Sequence, residues 1–478
     1  MNSTPGTQRV SALDSVFLYA ETPSTMMHVA SLLRFERPDA ADAGERLRVL
    51  TEEVRRESAV YSPWNRKLRH PAALTTPLQG WVVDENIDLD YHLRRSALPA
   101  PGDERELGIL VSRLHSNPLD LSRPPWEMHI IEGLDDGAFA VYIKVHHALV
   151  DGYTGSKFIA RGLSSDPDDR STPPMFAVPP SARSRRRTDE DDSGNVLTEA
   201  LDMLKGVVRG VGAGASAAVQ VGTALGKHVV QHEDSDALIG PGQAPDTILN
   251  RRIGRNRRFA TQQLTLSTVK SVGKACDATI NDVCLAILGA GLRRFLQEAG
   301  ELPDKPLIAF VPVNVRPKDD PGGGNSVGAM LATMGTDIAD PVERLRAVAA
   351  STRAAKSQLE GMSQAAMIAY GAALLSPMGL QAGLAYTGLS SPLPLTFNVT
   401  VSNVPGPRED RYFRGSRLRA MHPVSIPVHG AGLNVTMMSY ADTLNFGFIG
   451  DRDAVPHLQR LAVYSGEAFD ELRERLNV

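Results

Sequence analysis

Lys144-Val145-His146-His147-Ala148-Leu149-Val150-Asp151-Gly152 is the stretch on which the reading of this chain turns. Upstream of it, Phe139, Val141, Ile143 and Val145 alternate with other residues as a half-buried strand does. Successive strand side chains point to opposite faces, so His147 is expected to continue the apolar face and point inward, with His146 on the other face. An imidazole near its reference pKa of about 6.5 is largely neutral at cytosolic pH and can accept a proton in a transition state. Asp151 and Gly152 follow at a fixed interval, where Asp can pair with an arginine to hold the turn and Gly allows backbone angles that other residues resist. That longer pattern weighs against a mere pair of histidines satisfied at a strand end.

Several chemistries fit poorly. Adjacent strand histidines diverge, and no second His/Cys/Asp cluster supplies further ligands, so no metal is expected. The one Gly-x-Ser-x-Gly match, Gly324-Asn325-Ser326-Val327-Gly328, follows the Pro321-Gly322-Gly323 turn and lacks the strand-then-helix setting of a nucleophile elbow. Cys276 and Cys284 lie in apolar helical patterns without a recognisable partner. Gly322-Gly323-Gly324 matches neither a phosphate-binding loop nor a dinucleotide fingerprint. What remains is a base without a protein nucleophile, which suits direct transfer: a hydroxyl loses its proton to His147 while its oxygen attacks an activated acyl carbon.

The 478 residues suggest two domains, and 42% hydrophobic with 22% charged residues is a soluble globular composition. A net charge of -4 gives no reason to expect nucleic acid as a partner. Two cysteines make no disulfide framework, and neither a secretory leader nor a spanning segment is recognisable, so a cytoplasmic setting is expected.

Along the chain, strands are expected at 28–35, 138–145, 258–266, 307–313, 395–402, 433–438 and 444–450, and helices at 11–18, 43–58, from 103, 156–163, from Ser267, from Asn281-Asp282 and 455–476. Residues 166–182 read as an exposed connection, the Arg183–Arg187 and Asp189–Asp192 blocks as solvated linker, and 196–230 as a helical connector. Arginines 251, 252, 255, 257 and 258 read as a solvated strand start before a phosphate or membrane patch. Between Gly361 and Pro407 there is no Asp, Glu, Lys or Arg, which suits a buried segment more than a lipid-facing wall.

His146-His147-Ala148-Leu149-Val150-Asp151-Gly152 resembles the HHxxxDG motif of the chloramphenicol acetyltransferase and condensation-domain superfamily. Pro118-Leu119-Asp120-Leu121-Ser122-Arg123-Pro124-Pro125-Trp126-Glu127 is similar to the PLDxSRPxWE block of the bacterial wax ester synthase/acyl-CoA:diacylglycerol acyltransferase family. The opening Leu13-Asp14, Phe17-Leu18 and Met27-His28-Val29, then Asn281-Asp282-Val283, Val311 to Arg316, Asn325 and Val401-Ser402-Asn403-Val404-Pro405-Gly406-Pro407, resemble further blocks of that family in the expected order. The long charge-rich segment 166–246 is the main departure.

The resemblance implies an α/β fold of two chloramphenicol acetyltransferase-like lobes, with mixed sheets flanked by helices and an active-site tunnel between them. The expected division is 1–175 for the lobe carrying HHxxxDG, 176–245 for the linker and connector, and 246–478 for the second lobe. It implies an acyl-CoA-dependent O-acyltransferase making triacylglycerol or wax ester from diacylglycerol or a fatty alcohol. Acyl-CoA is then a co-substrate, there is no resident cofactor, and the partner surface is a membrane or lipid droplet approached from the cytoplasmic side. By the same resemblance His147 is the base, while His146, Asp151, Gly152 and Asp282 support the motifs. Asn281 reaches the centre from the second lobe, where its amide can meet the charge developing on the carbonyl oxygen. A carrier-dependent condensation domain and a non-catalytic lipid-binding protein on the same fold are the competing readings.

Overall fold

The computed structural model describes residues 7–38, 42–57, 59–76, 79–180, 237–314, 327–385 and 394–478. The expected connector at 196–230, the charged blocks at 183–192, Arg316 and Asn325 lie outside these residues.

The first half runs β1 (Thr7–Arg9), α1 (Ala12–Ala20), β2 (His28–Phe35), α2 (Ala43–Glu57), β3 (Arg66–Leu68), β4 (Gly80–Val83), α3 (Leu89–His92), β5 (Leu93–Ala97), α4 (Glu104–His115), β6 (Trp126–Glu132), β7 (Phe139–His146) and α5 (Gly152–Arg161). Strands β2, β7, β6 and β5 lie side by side, β5 and β6 parallel and the other pairs antiparallel. A small antiparallel sheet of β1, β4 and β3 stands apart. The second half supplies β8 (Arg257–Thr265), α6 (Leu266–Ala275), α7 (Ile280–Glu298), β9 (Ile308–Asn314), β10 (Val327–Thr333), α8 (Pro341–Leu359), α9 (Gln364–Ala385), β11 (Val399–Pro405), β12 (Tyr412–Phe413), β13 (Ser416–Val424), β14 (Leu433–Tyr440), β15 (Thr443–Asp451) and α10 (Leu458–Leu476). Its sheet has the order β10-β9-β11-β14-β15-β8, with β11 parallel to both neighbours.

Strands β12 and β13 do not join that second sheet. They extend the first, giving the order β12-β13-β2-β7-β6-β5, and β13 runs antiparallel to β2 from Leu418 opposite Phe35 to Val424 opposite Ala30. Residues 412–424, grouped by the sequence reading with the second lobe, therefore complete the first lobe's sheet. Where the two sheets meet, Gly447 of β15 lies so close to β13 that a Cβ there would come 1.7 Å from the carbonyl oxygen of Pro423.

Helix ends follow local chemistry. Asp103 caps α4 through the Glu106 N–H, and Asp340 caps α8 through the N–H groups of Val342 and Glu343. α7 starts with a capping box: Thr279 accepts from the Asp282 N–H and the Asp282 side chain accepts from the Thr279 N–H. Ser267, the expected cap of α6, lies inside that helix; its N–H and hydroxyl both donate to the Asp442 carboxylate instead. α5 begins at Gly152 rather than Ser156, because Asp151 already caps it.

The lobes are joined by specific polar contacts. Strand β8 is an edge of its sheet, and α4 covers that edge: Ser112 Oγ accepts from the Phe259 N–H at 2.9 Å and Ser116 Oγ from the Arg257 N–H at 2.8 Å. A ring nitrogen of His115 lies 3.2 Å from the Ser425 carbonyl oxygen. Arg257 is no solvated strand start: it is 3% exposed, stands 3.7 Å from Asp451 and donates to the carbonyls of Gly254 and Ser24. In the uncharged segment, Ala366, Ile368, Tyr370, Leu374 and Phe397 are buried in the second lobe's core. Among the described residues no single helix is long and apolar enough to cross a membrane.

Candidate active site

Every residue of β7 is buried, so the strand is covered on both faces rather than half-exposed. Phe139, Val141, Ile143 and Val145 pack into the core under α2 and α5. On the other face Ala140 and Tyr142 meet Phe259, Val424 and Ile449 of the second half. His146 continues that second face opposite His28 of β2 and is only 1% exposed. The strand ends there, and His147 opens the turn, half-buried. Strand parity thus ranked the depths the wrong way round: His146 is the more deeply enclosed, and His147 keeps part of its ring accessible, because the ladder stops one residue earlier than the alternation suggests.

His146 is tied into the turn. Its Nδ1 accepts from the Ala148 N–H at 3.1 Å, its carbonyl accepts from the Leu149 N–H, and Nε2 stands 3.5 Å from a Glu21 carboxylate oxygen that also accepts from the Met27 N–H. With Nδ1 acting as acceptor, the neutral ring carries its proton on Nε2, towards Glu21. His147 is held differently. Its N–H donates to the Met27 carbonyl at 2.8 Å, and its ring stacks on Phe17 of α1 at a centroid distance of 4.0 Å and an interplanar angle of 19°. Nδ1 is enclosed with no hydrogen-bond partner beyond the residue's own backbone, which leaves Nε2 as the nitrogen able to meet a substrate. Burial lowers the His147 pKa to about 4; the Asp151 carboxylate opposes the drop and His146 adds to it.

Asp151 supports this turn as the N-cap of α5, its Oδ1 accepting from the Thr154 N–H at 2.7 Å. Gly152 corrects an expectation. Its φ is not in the left-handed region, and an added Cβ would meet only Val404 Cγ2 at 4.0 Å, an ordinary contact. Backbone freedom therefore does not explain a glycine here.

On the second lobe, Asn281 and Asp282 divide their work. Asp282 is consumed by structure: one carboxylate oxygen accepts from the Thr279 N–H and the other from the Thr352 hydroxyl of α8 at 2.6 Å. Asn281, partly exposed beside it, has its Oδ1 held by Asn403 Nδ2 at 2.7 Å. The same end of β11 reaches the HHxxxDG side, where Val404 faces Gly152 and the Ser156 hydroxyl lies 3.5 Å from the Pro405 carbonyl oxygen. The tip of β11 thus touches both α5, directly behind the histidines, and the start of α7. Sequence reasoning named the blocks that hold Phe17 and Asn403 but missed what those two residues do, and it did not single out Glu21. Aromatic and polar residues within recognised blocks were the available signal.

The block before β6 is structural. Trp126 Nε1 donates to the Trp64 carbonyl at 2.8 Å, and its ring stacks on His92. Glu127 sits directly across from Lys144, with 3.3 Å between carboxylate and ammonium, and Lys144 also donates to the carbonyls of Leu114 and Asn117 at the end of α4. Burial raises the Glu127 pKa, but His129, Lys144 and Arg94 around it bring it down to about 2. Burial pushes the Cys284 thiol up, away from thiolate character, and no metal-ligating cluster of three or more His, Cys, Asp or Glu occurs among the described residues.

Comparisons with known proteins identify the relatives of this chain. Residues 10–284 match the wax ester synthase/diacylglycerol acyltransferase catalytic domain and residues 323–473 the C-terminal domain of the same family. A putative diacylglycerol O-acyltransferase of Mycobacterium tuberculosis is 55% identical over 97% of each chain, and a probable diacylglycerol O-acyltransferase of the same species is 39% identical over 97% of this chain and 98% of the relative. The solved wax ester synthase/diacylglycerol acyltransferase of Marinobacter aquaeolei superposes with a TM-score of 0.75 at 34% identity, covering 98% of this chain and all of that one (100%). The starter condensation domain of rhizomide synthetase shares the fold, with a TM-score of 0.57 at 13% identity over 99% of this chain and 95% of its own. With both domains matched in order and full-length relatives well above 30% identity, the chain belongs to the wax ester synthase/diacylglycerol acyltransferase family.

Proposed function

We propose that this acyl-CoA-dependent O-acyltransferase works by direct transfer, with His147 as general base and Asn281 as donor to the oxyanion. His147 Nε2 takes the proton of the acceptor hydroxyl while that oxygen bonds to the thioester carbon. The carbonyl oxygen gains charge next to the Asn281 amide. Collapse breaks the carbon–sulfur bond, and the CoA sulfur takes the proton back from His147. The products are a triacylglycerol or wax ester and free CoA. The observation that carries this reading is the state of His147: pinned by Met27, backed by Phe17, and neutral because burial lowers its pKa. A neutral imidazole is the form a general base needs.

The acceptor class, diacylglycerol or fatty alcohol, resides in lipid. α1 supports approach to such a surface, since the helix that backs His147 through Phe17 also presents Val16 and Tyr19, 51% and 50% exposed. Amphipathic exposure of this kind suits peripheral contact with a membrane or droplet from the cytoplasmic side rather than insertion.

The test is competition between acceptors. Purified protein is given labelled palmitoyl-CoA with diacylglycerol, hexadecanol and short alcohols together, and the labelled products are separated. A general base is worth roughly 10²–10⁴-fold, so His147→Ala loses most transfer while remaining folded, and His146→Ala loses less. Full activity of folded His147→Ala protein would sink the mechanism.

A further inference from the structure

We infer that Asn403 is a positioning residue for acyl transfer: it holds the Asn281 amide by its oxygen, so that the amide hydrogens face the reacting carbonyl. This rests on the reading of Asn281 as the oxyanion donor. A primary amide has two unlike ends, an oxygen that only accepts and an NH₂ that only donates. Rotation about the last side-chain bond exchanges them at little energetic difference, and the wrong end is harmful, because a carbonyl oxygen beside a developing oxyanion repels it. Something must therefore choose the orientation.

Asn403 makes that choice in the structure. Its Nδ2 donates to Asn281 Oδ1 at 2.7 Å, a well-formed hydrogen bond. The alternatives near Asn281 are occupied: the polar atoms of Asp282 and Thr279 engage each other in the capping box, and Thr352 engages Asp282. Asn403 is itself fixed by its strand. It lies opposite Met437 in the parallel pairing with β14, and the chain just beyond it is clamped where Gly406 passes so close to Ser439 that a Cβ would meet the Ser439 carbonyl oxygen at 2.2 Å. On its other neighbour, Val404, β11 rests beside Gly152 at the start of α5. The strand that orients the Asn281 amide thus also touches the helix that follows the histidines, so base and oxyanion donor adjoin one element.

Four variants test this, assayed with palmitoyl-CoA and hexadecanol and checked for an unchanged melting temperature: Asn281→Ala, Asn403→Ala, Asn403→Asp and the double alanine. One exposed hydrogen bond biases the two orientations by roughly threefold to tenfold, and without it the productive fraction falls from about 75–90% to about half, so Asn403→Ala should lower kcat by up to about twofold with KM for palmitoyl-CoA unchanged. Asn403→Asp keeps the shape but can only accept. It forces Asn281 to turn its NH₂ towards the strand, and kcat should fall further than in Asn403→Ala. In the double variant nothing remains to orient, so it should be no slower than Asn281→Ala. Multiplicative losses in the double variant, or an Asn403→Asp protein as active as wild type, would overturn the inference while Asn281→Ala stayed slow. Wild-type turnover by Asn281→Ala would instead overturn the oxyanion reading and the inference with it.

Discussion

Replacing Phe17 by Ala should move the acid limb of activity upward, by an amount that follows from how His147 is enclosed. The Phe17 ring lies 4.0 Å from the imidazole, and burial lowers the His147 pKa to about 4. A base acts only when neutral, so kcat/KM follows its neutral fraction. With a pKa of about 4, His147 is about 97% neutral at pH 5.5; at the unperturbed value of about 6.5 it would be only about 9% neutral there. The wild-type enzyme should therefore hold its kcat/KM nearly flat from pH 8 down to about pH 5. Phe17→Ala admits water to one face of the ring and relieves the desolvation that favours the neutral form, so its limb should rise towards 6.5 and its activity at pH 5.5 should drop by up to about tenfold relative to pH 8. Asp151→Asn should shift the limb the other way, because it removes the carboxylate that opposes the drop while an Asn can still cap α5. The assay is labelled ester formation over pH 3–9 at subsaturating palmitoyl-CoA, with melting curves at each pH. A wild-type limb centred on pH 6.5, or a Phe17→Ala limb that stays put or moves to lower pH, would refute the argument.

Three further outcomes are expected. Glu127→Ala strands the buried Lys144 ammonium and should destabilise the protein by about 3–5 kcal/mol in denaturant titrations, whereas Glu127→Ala with Lys144→Met should recover much of the loss; equal damage by both would show that the ion pair is not the cause. Gly447→Ala forces β15 away from the Pro423 carbonyl and should lower stability by at least about 1–3 kcal/mol, a cost that an unshifted denaturation midpoint would contradict. Val16→Ser with Tyr19→Ser should slow transfer to diacylglycerol presented in vesicles while leaving transfer to a short soluble alcohol unchanged. Parallel loss on both acceptors would place these side chains in folding rather than surface contact.

Much of this was readable locally. The alternation of Phe139, Val141, Ile143 and Val145 gave β7, and the seven-residue motif after it gave the superfamily, because period and motif are properties of adjacent residues. Some local signals were present yet overlooked: Asp151 three residues before Thr154 is an N-cap pattern, and Thr279-Ile280-Asn281-Asp282 spells a capping box. The burial of Lys144 and His146 was not locally legible. Polar residues on an alternating strand read as solvent-facing, and only the arrival of α4 and the second lobe encloses them. The same applies to Asn403, whose meaning depends on the amide it meets 122 residues away in sequence.

The crossing of β13 into the first sheet also sets an order of events during synthesis. β2 ends at Phe35 and its partner on that side starts at Ser416, so some 380 residues must be translated before the pairing exists. At roughly 5–20 residues per second that is about 20–80 s in which the nascent chain carries an open strand edge bearing Leu32, Leu33 and Phe35. Premature termination anywhere before residue 416 leaves that edge open permanently. Fragments ending near residue 250 should accordingly be recovered as aggregates or chaperone-bound, and supplying 407–478 as a separate chain should increase their soluble yield. Release of the completed polypeptide, rather than emergence of the histidines, is then the moment at which the first lobe closes.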